Sequence, residues 1–154
     1  MAPHQVLTLM VVGFCMFMQV QGDRCPLGFV KHNTSCYWFS TTTGSFSEAL
    51  SMCRYLRSDL ANITSKDEDD FLVHFELVWG KADGYFLGGS NLRQNGRWSW
   101  NGEEQEMMYT NWAPGESNLP LTQQCLVLWE DFNYQWADFY CHEPIHYICE
   151  CPVL

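Results

Sequence analysis

Oxygen-bearing side chains are concentrated in one irregular stretch of the chain, residues 112–138. Pro, Gly, Ser and Asn residues interrupt this stretch, which is typical of a loop rather than of a helix or strand. Carboxylate and amide oxygens can bind a cation or form hydrogen bonds with hydroxyl groups. We therefore place the candidate binding site in this stretch.

Catalytic chemistry has little support in the rest of the sequence. His32, His74, His142 and His146 are scattered, and no Ser or Cys lies in a nucleophile elbow or beside a visible base. Zinc binding by His142 and His146 would need nearby cysteine thiols, which disulfides would consume. The sequence thus predicts a binding protein without catalytic residues rather than an enzyme.

Length and charge limit the number of domains and the kind of partner. With 154 residues, 47% of them apolar and 16% aromatic, the chain can fill the core of one domain but not of two. It has 8 basic and 18 acidic residues, so its formal net charge is -10. The clustered basic residues that nucleic-acid phosphates require are missing. The acidic balance instead favours cations, polyols or a basic protein as partners.

Residues 1–22 have the features of an export signal. The apolar segment Val6–Val20 is followed by Gln21 and the small residue Gly22, which suits cleavage before Asp23. About 15 apolar residues are fewer than the roughly 20 that cross a bilayer as a helix. We expect a secreted, extracellular protein with a signal peptide over residues 1–22, one domain over residues 23–154, and no membrane insertion.

Cysteine usage agrees with an extracellular location. Seven cysteines follow the signal peptide: Cys25, Cys36, Cys53, Cys125, Cys141, Cys149 and Cys151. Their spacing does not match paired zinc knuckles or a redox CxxC motif, so we expect a disulfide framework with one cysteine left over. The leftover thiol could join two subunits. Two acceptor tripeptides, which begin at Asn33 and Asn62, predict N-glycosylation on an exposed surface.

Capping boxes predict two helices. Ser45 and Glu48 begin the first, whose apolar face is formed by Phe46, Ala49, Leu50, Cys53 and Leu56. Ser65 and Glu68 begin the second, which ends at Gly80 and has the apolar face Phe71, Leu72, Phe75, Val78 and Trp79. The acidic residues at its start lie where the helix dipole stabilises negative charge, and they lack the ligand spacing of an EF-hand.

The remaining elements are predicted to be short strands. An amino-terminal hairpin is expected over Cys25–Thr43, and helical periodicity disappears after Tyr85. Further strand-like segments are residues 85–89, 97–102, 107–112, 125–129 and 146–150. The predicted class is α+β, with two helices, two small antiparallel sheets and a long irregular binding loop.

Taken together, these motifs resemble a secreted C-type lectin domain, of the small single-domain kind found in molluscs. The resemblance rests on the cysteine order from Cys25 to Cys149, the segment Phe86-Leu87-Gly88-Gly89, the turn Thr110-Asn111-Trp112, and Trp136-Ala137-Asp138 before a cysteine. It covers essentially all of Cys25–Cys149. It implies the disulfides Cys25–Cys36, Cys53–Cys149 and Cys125–Cys141, with Cys151 left free.

Sugar-binding members of that family hold calcium through a Glu-Pro-Asn or Gln-Pro-Asp triplet, a later Glu, and the Asn and Asp of a Trp-Asn-Asp motif. Vicinal sugar hydroxyls then complete the shell of the ion, which takes six to eight oxygens. The resemblance implies Glu116, Asn118 and Asp138 as the metal ligands here. The triplet has lost its proline, Gln123 replaces the later Glu and Ala137 replaces the Asn, so we expect calcium binding to be weakened. A lengthened loop between Cys125 and Trp136 could add Asp131 and Asn133.

Sugar binding does not require the ion, because aromatic rings can pack on a pyranose face or an acetamido methyl group. The candidates are Trp129, Tyr134, Trp136 and Tyr140, although Trp129 and Trp136 flank cysteines and favour the core. The resemblance implies a lectin for agglutination or innate-immune recognition of glycans on cell surfaces or glycoproteins. Mannose-type sugars are expected if calcium binds and N-acetylated sugars if it does not. A homo- or heterodimer would raise its avidity.

A second function remains open. A lectin-like fold that has lost sugar binding could instead contact a protein or, given its acidity, a mineral surface.

Overall fold

The computed structural model describes residues 24–80, 82–94, 96–103, 106–119 and 121–154. The predicted signal peptide, residues 1–22, lies outside these ranges. None of the helices within them is long and apolar enough to span a membrane.

Two helices and eight strands are formed by the described residues. In chain order they are β1 (Val30–His32), β2 (Ser35–Phe39), α1 (Phe46–Tyr55), β3 (Asp59–Leu60), α2 (Lys66–Trp79), β4 (Gly84–Gln94), β5 (Arg97–Trp100), β6 (Cys125–Trp129), β7 (Gln135–Phe139) and β8 (His146–Pro152). A 3-10 turn over Glu130–Phe132 connects β6 to β7. The predicted α+β class, the amino-terminal hairpin and both helices are confirmed.

The strands form one mixed sheet instead of two antiparallel ones. They pair in the order β1-β2-β8-β4-β6-β7, with β3 also paired with β8 and β5 with β4. The pairing of β4 with β8 is parallel, through Tyr85 with His146 and Phe86 with Tyr147. It joins the two predicted antiparallel groups. Both strands are buried, so their backbone groups need partners on both edges, which the parallel pair supplies.

Successive residues of the inner strands point into two different core clusters, one on each face of the sheet. On β4, Leu87 belongs to the cluster that contains Leu72 of α2, whereas Phe86 belongs to the cluster that contains Phe46 of α1. Trp136 and Ala137 of β7 divide in the same way. The helices therefore cover opposite faces of the sheet.

Helix α2 begins after Ser65 and ends before Gly80, as predicted, but the face that it buries differs from the predicted apolar face. The Ser65 hydroxyl accepts the Glu68 N–H at 3.3 Å, whereas the Glu68 carboxylate accepts the N–H of Thr64 instead of that of Ser65. The predicted apolar face is wrong at its carboxyl end: Val78 and Trp79 are 51% and 71% exposed, because this end extends past the core. The buried residues of α2 are Glu68, Asp69, Leu72 and Glu76.

The segment predicted as a strand over residues 107–112 belongs to a long loop. We use that name for residues 106–124, of which the structure describes 106–119 and 121–124. Single bridges from Glu106 to Ser99 and from Trp112 to Trp136 are the only ladder contacts of its described part. Side chains, not strand pairing, must therefore hold this loop.

Three disulfides have the pairing that the family resemblance implied. Cys25–Cys36 closes the hairpin, Cys53–Cys149 ties α1 to β8, and Cys125–Cys141 anchors the end of the long loop. Cys151 is the free cysteine of the described ranges, and it is buried. Its burial also raises the pKa of its thiol. A bridge between subunits would first require β8 to open locally at this end.

Candidate functional site

A buried tryptophan on β7 supports the long loop. Trp136 is fully buried, and the rings of Trp100, Tyr109 and Trp112 meet it nearly edge-on, with centroids 5.5, 5.7 and 5.8 Å away. Edge-to-face contacts of this kind are favoured by the quadrupoles of the rings. Two of the three partners come from the long loop, so its first half is packed on the core.

Asp69 of α2 fixes the same part of the loop by hydrogen bonds. Its carboxylate accepts the Trp136 indole N–H at 2.8 Å, the Asn111 side-chain amide at 2.6 Å and the Tyr109 hydroxyl at 3.3 Å. Burial raises the pKa of Asp69, and these three donors oppose that increase. Burial and the charge of Asp69 raise the pKa of Tyr109 to about 12, so its hydroxyl remains a donor.

Backbone contacts continue this support toward the predicted ligand residues. The Ala113 N–H donates to the Trp136 carbonyl at 2.8 Å, and the Glu116 N–H donates to the Ala113 carbonyl at 2.9 Å. Ser117 has a left-handed backbone (φ 61°), and its hydroxyl accepts the Trp98 indole N–H at 2.8 Å. A non-glycine residue at positive φ is costly unless its surroundings hold it, and here the indole does so.

Glu116 and Asp138 form a carboxylate pair at the end of β7. Burial raises the pKa of Glu116 most, and the contact with Asp138 raises it further. Asp138 is 3% exposed, and its Oδ2 accepts the Leu119 N–H at 3.0 Å. Its Oδ1 is buried and has no hydrogen-bond partner in the described part of the chain. Two facing carboxylates with one unpartnered oxygen favour a positive charge between them.

Asn118 and Gln123 lie in the long loop together with Glu116, whereas Asp138 belongs to β7. Asn118 is exposed and its side-chain amide donates to the Gly115 carbonyl at 2.7 Å. Gln123 is half-buried, and its backbone N–H donates to the Leu119 carbonyl at 2.9 Å. Ala137 packs in the core cluster of α1 and offers no side-chain oxygen.

The other three predicted ligand residues lie elsewhere. Asp131, Asn133 and Tyr134 form the turn between β6 and β7, at the opposite end of β7 from Asp138. Asp138 is four positions along the chain from Tyr134, which corresponds to roughly 13 Å along a strand. Tyr134 is buried, and its hydroxyl donates to the Ala82 carbonyl at 3.1 Å. The lengthened segment thus extends away from the carboxylate pair and does not add oxygens to it.

The described residues supply only part of the set of donor atoms that a metal ion requires. Within the described ranges, no group of three or more His, Cys, Asp or Glu side chains is close enough to hold a metal ion. The pair Glu116 and Asp138, with the unpartnered Oδ1, fits one hard cation, and Asn118 and Gln123 are further oxygen-bearing side chains of the long loop.

Comparisons with known proteins identify a matching family model and two similar molluscan proteins. A family model for the lectin C-type domain matches residues 42–151. A perlucin of Haliotis laevigata is 49% identical over 128 residues, and the match covers 82% of each chain. A perlucin-like protein of Mytilus galloprovincialis is 31% identical over 128 residues, again with 82% of each chain covered.

Solved structures show the same architecture. The carbohydrate-recognition domain of the mouse scavenger receptor C-type lectin is 26% identical, with a TM-score of 0.76, and the match covers 84% of this chain and 98% of that domain. A calcium-independent type II antifreeze protein is 24% identical, with a TM-score of 0.75 and coverage of 85% and 96%. At that identity the second likeness shows the fold alone.

Proposed function

Because the chain belongs to the C-type lectin domain family, we propose that it is a secreted carbohydrate-binding protein whose site is the long loop around Glu116 and Asp138. One observation carries the proposal: two carboxylates face each other at the end of β7, and one buried oxygen, Asp138 Oδ1, has no partner among the described residues. Such an oxygen is costly unless a ligand, or a proton shared with Glu116, lies beside it.

Calcium fits this position, with fewer ligands than a complete site of the family would have. Glu116 and Asp138 would hold the ion, and Asn118 and Gln123 are the remaining candidates. A bound calcium ion would offer coordination positions to two vicinal hydroxyls. The chain itself supplies two carboxylates and a loop fixed by Asp69, so weak calcium binding with mannose-type sugars is the expected behaviour. N-acetylated sugars are expected where binding proceeds without the ion.

A shallow site of this kind gains from multivalency, so a dimer that displays two sites would bind a glycan-coated surface more tightly than one domain. Asn33 is the more exposed of the two candidate N-glycosylation sites. It lies in the β1–β2 turn and its side-chain amide donates to Asp67 at 2.8 Å, whereas Asn62 is half-buried and its side-chain oxygen accepts from Asn101 at 2.7 Å.

A glycan array with calcium, and again with chelator, tests the proposal. We expect binding to mannose-type glycans that falls at least about tenfold in the Glu116→Gln variant, because an amide replaces one of two carboxylates. Asp131→Asn is the matched control, since it removes an exposed carboxylate from the other end of the β6–β7 hairpin and should leave binding unchanged. Empty arrays in both conditions would contradict carbohydrate binding.

The second candidate function is contact with a protein or a mineral surface. The net charge of -10 favours it, and so does the diversity of proteins that share the fold, which includes the antifreeze protein. Blank arrays together with retention on a powdered calcium mineral, reversed by high salt, would favour this alternative.

A further inference from the structure

A cavity lies at the carboxyl end of α2, away from the long loop. Its volume is about 280 Å³, and it is open to solvent beside Trp79. Its lining comes from the end of β2, from α2, from β4 and from the first residue of β8; the residues that matter here are Phe39, Phe75, Glu76, Trp79, Tyr85 and His146.

The cavity contains a buried carboxylate. Glu76 is 1% exposed, and neither of its carboxylate oxygens has a hydrogen-bond partner among the described residues. The Tyr85 hydroxyl is near enough to lower the pKa of Glu76 slightly, but it does not meet the geometry of a hydrogen bond. Gly80 makes room for the carboxylate, because a Cβ at that position would lie 2.0 Å from Glu76 Oε2. Burying a carboxylate without a partner is costly, so its position requires an explanation.

Aromatic rings surround this carboxylate. Phe75 and Trp79 are four residues apart on one side of α2. The rings of Phe39 and Phe75 are stacked with centroids 4.0 Å apart, and Tyr85 meets Phe39 edge-on at 6.5 Å. Trp79 is 71% exposed at the rim, an unusual position for an indole without a partner.

Acidic residues lie near one side of the cavity. Burial raises the pKa of Tyr134 most, and the carboxylates of Glu76, Glu130 and Asp83 raise it further, so all three lie near this side chain, whose hydroxyl donates to the carbonyl of the lining residue Ala82. The Nδ1 atom of His146 lies 2.9 Å from the Ser40 carbonyl oxygen. Because a carbonyl oxygen can only accept a hydrogen bond, Nδ1 is the donor. Lys81 lies outside the described residues, so this balance refers to the residues named here.

We propose that this cavity binds a small organic cation, an alkylammonium group of the trimethylammonium type. The aromatic rings would stabilise its methyl groups through cation–π contacts, and Glu76 would supply the counter-charge at the base. A hydrated metal ion would gain little from such rings, and a neutral sugar would leave the carboxylate without a partner. The volume suits a head group, not an oligosaccharide.

This site is separate from the proposed sugar site. β4 passes between the two, and Ser90, which pairs with Cys125 at the loop end, is six positions along the strand from Gly84, which pairs with Trp129 at the cavity end. This is roughly 20 Å along a strand. The inference therefore stands or falls independently of carbohydrate binding.

Two-dimensional NMR of the whole chain, titrated with choline chloride at pH 8, tests the inference; this pH is above the value of about 7 to which burial raises the pKa of Glu76. We expect saturable shifts confined to the Trp79 indole and the amides around Glu76 and Gly80, with a dissociation constant on the order of 1 mM for so small a ligand. Sodium chloride at the same concentration controls for general cation binding to an acidic protein. The neutral isostere 3,3-dimethyl-1-butanol has the same shape without the charge, and it should bind at least about tenfold more weakly.

Variants distinguish the cavity from the rest of the surface. Glu76→Gln keeps the shape and removes the charge, and we expect choline affinity to fall about tenfold. Trp79→Ala should weaken it about threefold. Leu77→Ala is the matched control, because Leu77 is 61% exposed on the same helix and does not line the cavity. Its affinity should equal that of the unmodified protein.

A further arm identifies the source of the cation. Retention on phosphatidylcholine vesicles in addition to choline binding points to a lipid head group, and choline binding without retention points to a soluble ligand. Equal binding of choline and its neutral isostere, shifts spread over the acidic surface, or a Glu76→Gln variant that folds and binds choline normally would each overturn the proposal.

Discussion

Near each end of the sheet, a buried carboxylate has an oxygen without a hydrogen-bond partner among the described residues, yet the surroundings of the two carboxylates differ. At the loop end, Asp138 is paired with a second carboxylate, Glu116, on a loop fixed by hydrogen bonds. At the helix end, Glu76 stands alone among aromatic rings. Paired hard oxygens suit a divalent ion and hydroxyl groups, whereas a single carboxylate among rings suits a soft organic cation. The number of carboxylates and the polarity of their neighbours thus decide which ligand class each end can take.

The largest effect on stability is expected at Asp69, which anchors the long loop. Asp69→Ala leaves the indole N–H of Trp136 and the amide of Asn111 without their acceptor, and we expect it to lower the free energy of unfolding by about 3 kcal/mol. Urea unfolding under oxidising conditions measures this. Asp70→Ala is the control: this neighbour on α2 is exposed and pairs only with Lys66, so its loss should cost about 0.5 kcal/mol or less.

The same two variants test whether glycan binding depends on the anchored loop. Glycan binding should disappear in Asp69→Ala and persist in Asp70→Ala, while choline binding should persist in both folded variants. An Asp69→Ala protein as stable as the Asp70→Ala protein would show that the loop is held by ring packing alone.

Asp69 also shows how far the sequence leads and where it stops. The sequence predicted both helices, the cysteine pairs through the family resemblance, and the loop that contains the carboxylate pair. It assigned Asp69 to the helix dipole, because acidic residues are common in a first helical turn. A signal was present: Asp69, Leu72 and Glu76 follow the spacing of one helix face, so two acidic residues lie on the same face as a buried leucine.

The division of the predicted site could not be read from the sequence. Asp131, Asn133 and Tyr134 are near Asp138 in the chain, but a strand runs straight between them and places them at opposite ends. Residue spacing predicts which side chains share a face of a strand, and it does not show which end of the strand a loop approaches. Contacts from the long loop settle that here, through Ala113 and Leu119.

The second predicted effect is a pH-dependent contribution of Glu76 to stability, at the helix end of the sheet. Burial raises the pKa of Glu76 from 4.5 to about 7. Between these values the folded protein keeps the proton that the unfolded chain releases, so the contribution of Glu76 to stability is complete below pH 4.5 and is lost as the pH rises through 7. The loss is about 3 kcal/mol, as a shift of this size implies.

Chemical unfolding of the unmodified protein and of Glu76→Gln, at pH 5 and at pH 8, isolates this contribution from other buried carboxyls. The stability of the variant relative to the unmodified protein should rise by about 3 kcal/mol between the two pH values. A difference that does not change with pH would mean that Glu76 is already paired. Saturating choline should reduce the difference at pH 8, because a bound cation supplies the missing charge.

The smallest effect on stability is expected at Glu116, and it separates binding from folding. Glu116→Gln removes the repulsion with Asp138, but Glu116 is half-exposed and solvent screens that repulsion, so we expect a gain of about 0.5 kcal/mol or less. The same substitution should lower calcium-dependent glycan binding at least about tenfold, since only one carboxylate remains. Weaker binding together with slightly higher stability is the combination expected for a residue that is retained for binding at a cost in stability. A loss of stability in Glu116→Gln, measured by the same urea titration, would mean instead that the carboxylate serves the loop and not a ligand.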